Sequence, residues 1–192
     1  MSREYSPLPL SPLAAVARLP ETELLERVTF DDPAFSVMTD LTQVTPASIG
    51  PERGIDHAHA MMLERRVRLL FVVDAGRFVV GVVTATDLLG EKPMRFVQER
   101  GGTRHDILVA DIMTPFERMD AISMQDVSQM RVGHIVATLK EVHRQHLIAA
   151  DEGGRRVRGI FSTSRIARQL GVDLNTTDVA QTFAEIEAAL AR

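Results

Sequence analysis

Residues 69–90 read Leu-Leu-Phe-Val-Val-Asp-Ala-Gly-Arg-Phe-Val-Val-Gly-Val-Val-Thr-Ala-Thr-Asp-Leu-Leu-Gly, and this stretch decides the fold. The uncharged run 69–73 predicts a buried strand, because it is short, rich in valine and closed by turn formers. Asp74-Ala75-Gly76-Arg77 supplies a hairpin turn, and 78–83 supplies the return strand. A short helix is expected from near Thr86 to Gly90, where glycine suits a left-handed C-terminal cap. Upstream, Ile55, Ala58 and Met62 share one face of a helix predicted over 55–66.

The same order returns downstream. Val132, Ile135, Val136, Leu139 and Val142 stand at helical spacing, and a strand over 147–150 follows. Asp151-Glu152-Gly153-Gly154 makes the turn, 157–161 returns, and a helix over 164–170 ends at Gly171. Val132 lies 77 residues after Ile55 (132 − 55), and Asp151 lies 77 after Asp74 (151 − 74). Gly159 lies 78 after Gly81 (159 − 81), so the second hairpin holds one extra residue. Val37-Met38-Thr39 precedes the first copy as Ile112-Met113-Thr114 precedes the second. Agreement of order, spacing and turn position identifies an internal repeat.

The repeats divide the chain into an N-terminal extension (1–34), a first repeat (35–90), a linker helix (91–105), a second repeat (106–171) and a C-terminal helix (172–192). Ser11-Pro12 opens a short helical stretch in the extension, with serine as cap and proline at the first helical position. Val179, Phe183, Ile186 and Leu190 give the last helix an apolar face.

Composition narrows the function classes. The 192 residues carry a formal charge of −4, no tryptophan and one tyrosine, which argues against a nucleic-acid binder. No run approaches the ~18 apolar residues of a membrane span. Four prolines among the first twenty residues do not make a signal peptide. The absence of cysteine rules out disulfides and thiolate zinc sites. A soluble, cytoplasmic protein is expected.

Leu70-Phe71-Val72-Val73-Asp74, followed by Gly81-Val82-Val83-Thr84-Ala85-Thr86-Asp87-Leu88-Leu89, resembles the signature of the cystathionine β-synthase (CBS) domain. Ile112-Met113-Thr114-Pro115 is similar to the Met-Thr-Pro phrase that often precedes such a repeat. The resemblance spans roughly 35–171 and is weaker in the second repeat, where Gly159-Ile160-Phe161-Ser162-Thr163-Ser164-Arg165 has arginine in place of the aspartate. It implies an α+β fold of two β-α-β-β-α repeats packed pseudo-symmetrically. It further implies inter-repeat clefts for adenosine-containing ligands (AMP, ADP, ATP or S-adenosylmethionine), and frequent disc-shaped dimers.

Thr84 and Asp87 stand where a strand passes into a helix. A carboxylate there can accept both hydroxyls of a ribose cis-diol, while Thr84 and the first helical amides favour a phosphate. Alternatively, Thr84 caps the helix and Asp87, as an exposed carboxylate, complements its dipole. Arg165 cannot accept from a diol, because guanidinium only donates. Loss of the ribose grip is expected there, with Ser162 left as a helix cap; phosphate or carboxylate binding by Arg165 is the alternative. Arg68 and His146 precede the central strands where the family often places a basic phosphate contact, with a one-residue mismatch between copies. Arg65, Arg66 and Arg68 also read as a solvated helix end.

The six histidines show no His-Glu-x-x-His spacing, and no Gly-x-Ser-x-Gly phrase occurs, so neither a metal nor a catalytic residue is expected. The leading expectation is a non-enzymatic sensor of adenine nucleotides that needs no cofactor and acts on a separate effector protein. The runner-up is a dimerising scaffold whose nucleotide sites are lost. A homodimer is expected, because an isolated module would leave the faces Ala58-Met62 and Ile135-Leu139 partly uncovered; the terminal helices could cover them instead.

Overall fold

The computed structural model describes residues 26–172, 183–186 and 188. The expected helix at Ser11, and Val179 and Leu190, lie outside these residues. A 3-10 turn, Ala34–Val37, leads into β1 (Met38–Asp40). The first module then runs β2 (Ser48–Ile49), α1 (Ile55–Arg65), β3 (Leu69–Val73), β4 (Val79–Thr84) and α2 (Ala85–Leu89). The linker holds α3 (Glu91–Arg100), and α4 (Val109–Ile112) and β5 (Thr114–Pro115) follow it. The second module runs β6 (Ala121–Ser123), α5 (Met124–Gln129), α6 (Val132–Glu141), β7 (His146–Asp151), β8 (Arg156–Ser162) and α7 (Thr163–Gln169).

Two four-stranded sheets result, in the orders β2-β3-β4-β5 and β6-β7-β8-β1. In each, the first strand runs parallel to the central one and the hairpin and last strand are antiparallel. Each lead-in strand therefore completes the sheet of the module it does not precede. Met38↔Phe161 and Asp40↔Gly159 join β1 to the second module, while Gly81↔Pro115 and Val82↔Thr114 join β5 to the first. The glycines of the return strands permit this crossing. A Cβ at Gly81 would lie 2.6 Å from the Thr114 carbonyl oxygen, and one at Gly159 would lie 2.7 Å from Met38 Cγ. The register shift falls at equivalent places, Val72/Val73 and Ala149/Ala150, so the repeat extends to its irregularities.

Strand alternation sorts the side chains into three cores. Leu70, Val72 and Val83 join Ile55, Ala58 and Met62 in the first module, under Phe96 of the linker and Ile107 and Val109 that follow it. Leu147, Ala149 and Phe161 join Val132, Ile135 and Leu139 in the second, under Val28, Phe30, Phe183 and Ile186. Leu69, Phe71, Val82 and Ile148 point the other way and weld the sheets to each other. Both central strands are thus covered on both faces, which is why they read as unbroken apolar runs.

Several local expectations need correction. Ala58, Met62, Ile135 and Leu139 are buried within the chain, so these faces give no reason for a dimer. Val142 caps α6 and is exposed rather than part of its apolar face. Gly90 is not left-handed, with φ −85° and ψ −152°. Its need for glycine is a close approach: a Cβ there would lie 2.6 Å from the Thr86 carbonyl oxygen. Arg66 takes the left-handed cap of α1, and Gly171 is left-handed after α7. Among the described residues no helix is long and apolar enough to cross a membrane.

Candidate functional site: a cleft between the modules

A cleft of about 220 Å³ opens between the two modules. Leu69, Val82, Thr84 and Asp87 of the first module line it, together with Thr114 of β5 and Gln145 and His146 of the second module. A larger cavity of about 600 Å³ adjoins it and shares Met119, Asp120 and Ile148. Thr84 and Asp87 therefore meet His146, which is far from them in sequence.

Asp87 is buried, at 9% exposure, contrary to the exposed position expected for it. Its Oδ2 accepts from the Thr84 amide at 2.8 Å and the Thr84 hydroxyl at 2.7 Å, and the Asp87 amide donates back to Thr84 Oγ1 at 3.3 Å. This reciprocal capping box satisfies the start of α2. Its Oδ1 pairs with Lys92 Nζ at 2.6 Å, and the same ammonium donates to the Ile112 carbonyl at 2.9 Å. The structural and ligand-binding readings of Thr84 and Asp87 thus concern the same atoms.

His146 opens β7 on the face that carries Ile148, so alternation turns its ring toward the cleft. It is only partly exposed, and its Nδ1 lies out of solvent without a hydrogen-bond partner. Burial pushes its pKa down to about 4, assisted by the Arg68 guanidinium and opposed by the Asp87 carboxylate. The imidazole is neutral at pH 7. Sheet register resolves the mismatch between Arg68 and His146. Leu69 pairs with Thr84 as His146 pairs with Ser162, so Leu69 is the counterpart of His146 and Gln145 that of Arg68.

The equivalent position in the second module is built differently. Arg165 reaches Thr39 Oγ1 only at 3.5 Å, and its Nε is buried without a partner. Ser162 precedes α7 but makes no side-chain cap, because its hydroxyl bonds Ser164 Oγ at 3.0 Å. The capping role expected for Ser162 is therefore not filled. Arg165 and Ser162 do not join Thr84, Asp87 and His146 in lining the first cleft.

Neither Lys92 nor the hydroxyl of Thr114 stands out in the sequence as a partner of this cleft. Lys92 lies five residues beyond Asp87, across a helix junction that no periodicity spans. Thr114 sits in the Met-Thr-Pro phrase, and that phrase was the available signal. Among the described residues no group of three or more His, Asp or Glu side chains is placed to hold a metal.

Residues 35–93 match the family model of the CBS domain. These residues are a CBS domain. The chain's whole architecture, with two like sheets and exchanged lead-in strands, has the fold of CBS-domain structures. An uncharacterized conserved protein from Pyrococcus horikoshii matches at 22% identity over 78% of this chain and 100% of that one, with a TM-score of 0.54. The CBS-domain-containing protein ATU1752 from Agrobacterium tumefaciens matches at 19% identity over 67% of this chain and 88% of its own, with a TM-score of 0.52. The CBS domain of a bacterial CNNM/CorC family Mg2+ transporter matches at 20% identity over 75% and 78%, with a TM-score of 0.51. No curated protein sequence matches the chain.

Proposed function

We propose that this CBS pair is a regulatory module that binds an adenosine-containing ligand in the cleft at Asp87 and signals occupancy to a separate protein, without catalysis. The observation that carries the reading is the convergence of Thr84, Asp87, Thr114 and His146 from both modules on one cleft with an adjoining cavity. Two hydroxyls and a carboxylate suit a ribose, and the apolar lining by Leu69, Val82 and Ile148 suits a base. The nearby Arg68 supplies positive charge for a phosphate. A ligand bridging the modules favours one relative placement over another, which is the differential affinity that signalling requires. Absence of cysteine suits a reducing cytoplasm. Exposed Leu63, Leu89 and Met94 on α1 to α3 offer apolar contacts for a homodimer.

A scaffold without ligand is the second reading, favoured by the engagement of both Asp87 oxygens by Thr84 and Lys92. Calorimetric titration with AMP, ATP and S-adenosylmethionine separates the two, with sedimentation in the same buffer reporting the assembly. One site per chain on a dimer is expected, since Arg165 replaces the second carboxylate. Absence of heat with all three ligands would leave the scaffold, and two equal sites per chain would show that the carboxylate is dispensable.

A further inference from the structure

Resting on the nucleotide reading, we propose that Lys92 is an internal occupant of the Asp87 carboxylate, which a ribose must displace. Asp87 Oδ2 already receives two donors from Thr84, at 2.8 and 2.7 Å. Oδ1 receives Lys92 Nζ at 2.6 Å. A carboxylate oxygen offers about two lone-pair directions, so one acceptor site is left where a cis-diol needs two. One ribose hydroxyl fits beside Lys92; the second fits only after the ammonium leaves. The Lys92 side chain is 45% exposed, so a solvated position is open to it.

Its departure reaches beyond the site. The same ammonium holds the Ile112 carbonyl at 2.9 Å, at the end of α4. Two residues later Thr114 lines the cleft and pairs with Val82 in the sheet. Lys92 itself belongs to α3, whose Phe96 and Val97 cover the first core. Displacement by a diol therefore loosens a tie between α3 and the end of α4, two residues before the lead-in strand at the cleft. Occupancy is read by the linker through this residue.

The test compares AMP with 2′-deoxy-AMP, which keeps the base and phosphate but lacks one hydroxyl of the pair. Affinities are measured by calorimetry for the full-length wild type, Lys92→Met and Lys92→Arg. The preference for AMP over 2′-deoxy-AMP is expected to rise about tenfold in Lys92→Met and to stay at the wild-type value in Lys92→Arg. Taking the ratio cancels the loss of one positive charge, which affects both monophosphates alike. An unchanged or lower ratio in Lys92→Met, with AMP still bound, overturns the displacement and leaves the nucleotide reading standing. Failure of every protein to bind either ligand removes both.

Discussion

The two modules share a sheet order, a register and even the position of an irregularity, yet their equivalent strand-to-helix junctions are chemically opposed. At the first, Asp87 is capped, paired and buried, and Thr84 closes the start of the helix. At the second, Arg165 keeps a buried Nε without a partner, and Ser162 leaves its helix without a side-chain cap. The fold depends on what the modules share, the apolar strands and crossing glycines. It tolerates divergence where the helix begins, because a cap contributes only about 1 kcal/mol.

The largest expected contrast is in ligand affinity. Asp87→Ala should weaken AMP binding a hundredfold or more, since hydrogen bonds to a charged group contribute about 1.5–3 kcal/mol each. Arg165→Ala should change it less than threefold. Chemical denaturation of both variants supplies the control, and Asp87→Ala should lose about 1–2 kcal/mol with its cap and ion pair. If Arg165→Ala alone lost affinity, the working cleft would be the second one.

A second contrast sets His146 against its counterpart Leu69. The folded pKa of His146 is lowered to about 4, so the unfolded chain, titrating near 6.5, binds a proton first as pH falls. Its contribution to stability is full above about pH 6.5 and is lost progressively toward pH 4. That loss is on the order of 3 kcal/mol. Denaturation midpoints across this range should show the decline, and His146→Leu should flatten it. An equally steep decline in the variant would assign the acid limb to other groups.

The smallest contrast concerns the crossing glycines. Gly81→Ala presses a Cβ against the Thr114 backbone carbonyl, which cannot move without disturbing the β4–β5 pairing. About 2 kcal/mol of stability should be lost. Gly159→Ala meets the flexible side chain of Met38, and should cost about 1 kcal/mol or less. Equal losses in thermal unfolding would mean that the two crossings are equally rigid.

Much of this was legible in the chain itself. Local pattern alone determined both hairpins, the helices at Ile55 and Val132, the linker helix and the 77-residue repeat. Each rests on periodicity, turn chemistry or spacing that neighbouring residues carry. Thr84 and Asp87 were legible as a pair because the capping box is itself a local motif. Three things were settled only in three dimensions. The lead-in strands change partners because register and glycine clearance, not chain order, select the sheet edge each can reach. His146 reaches the Asp87 cleft because a period of two turns it to the inter-sheet face, and only the packing of the second sheet shows what lies opposite. Lys92 finds Asp87 because α2 and α3 meet at Gly90, and the angle at that junction is set by the linker packing on the first core.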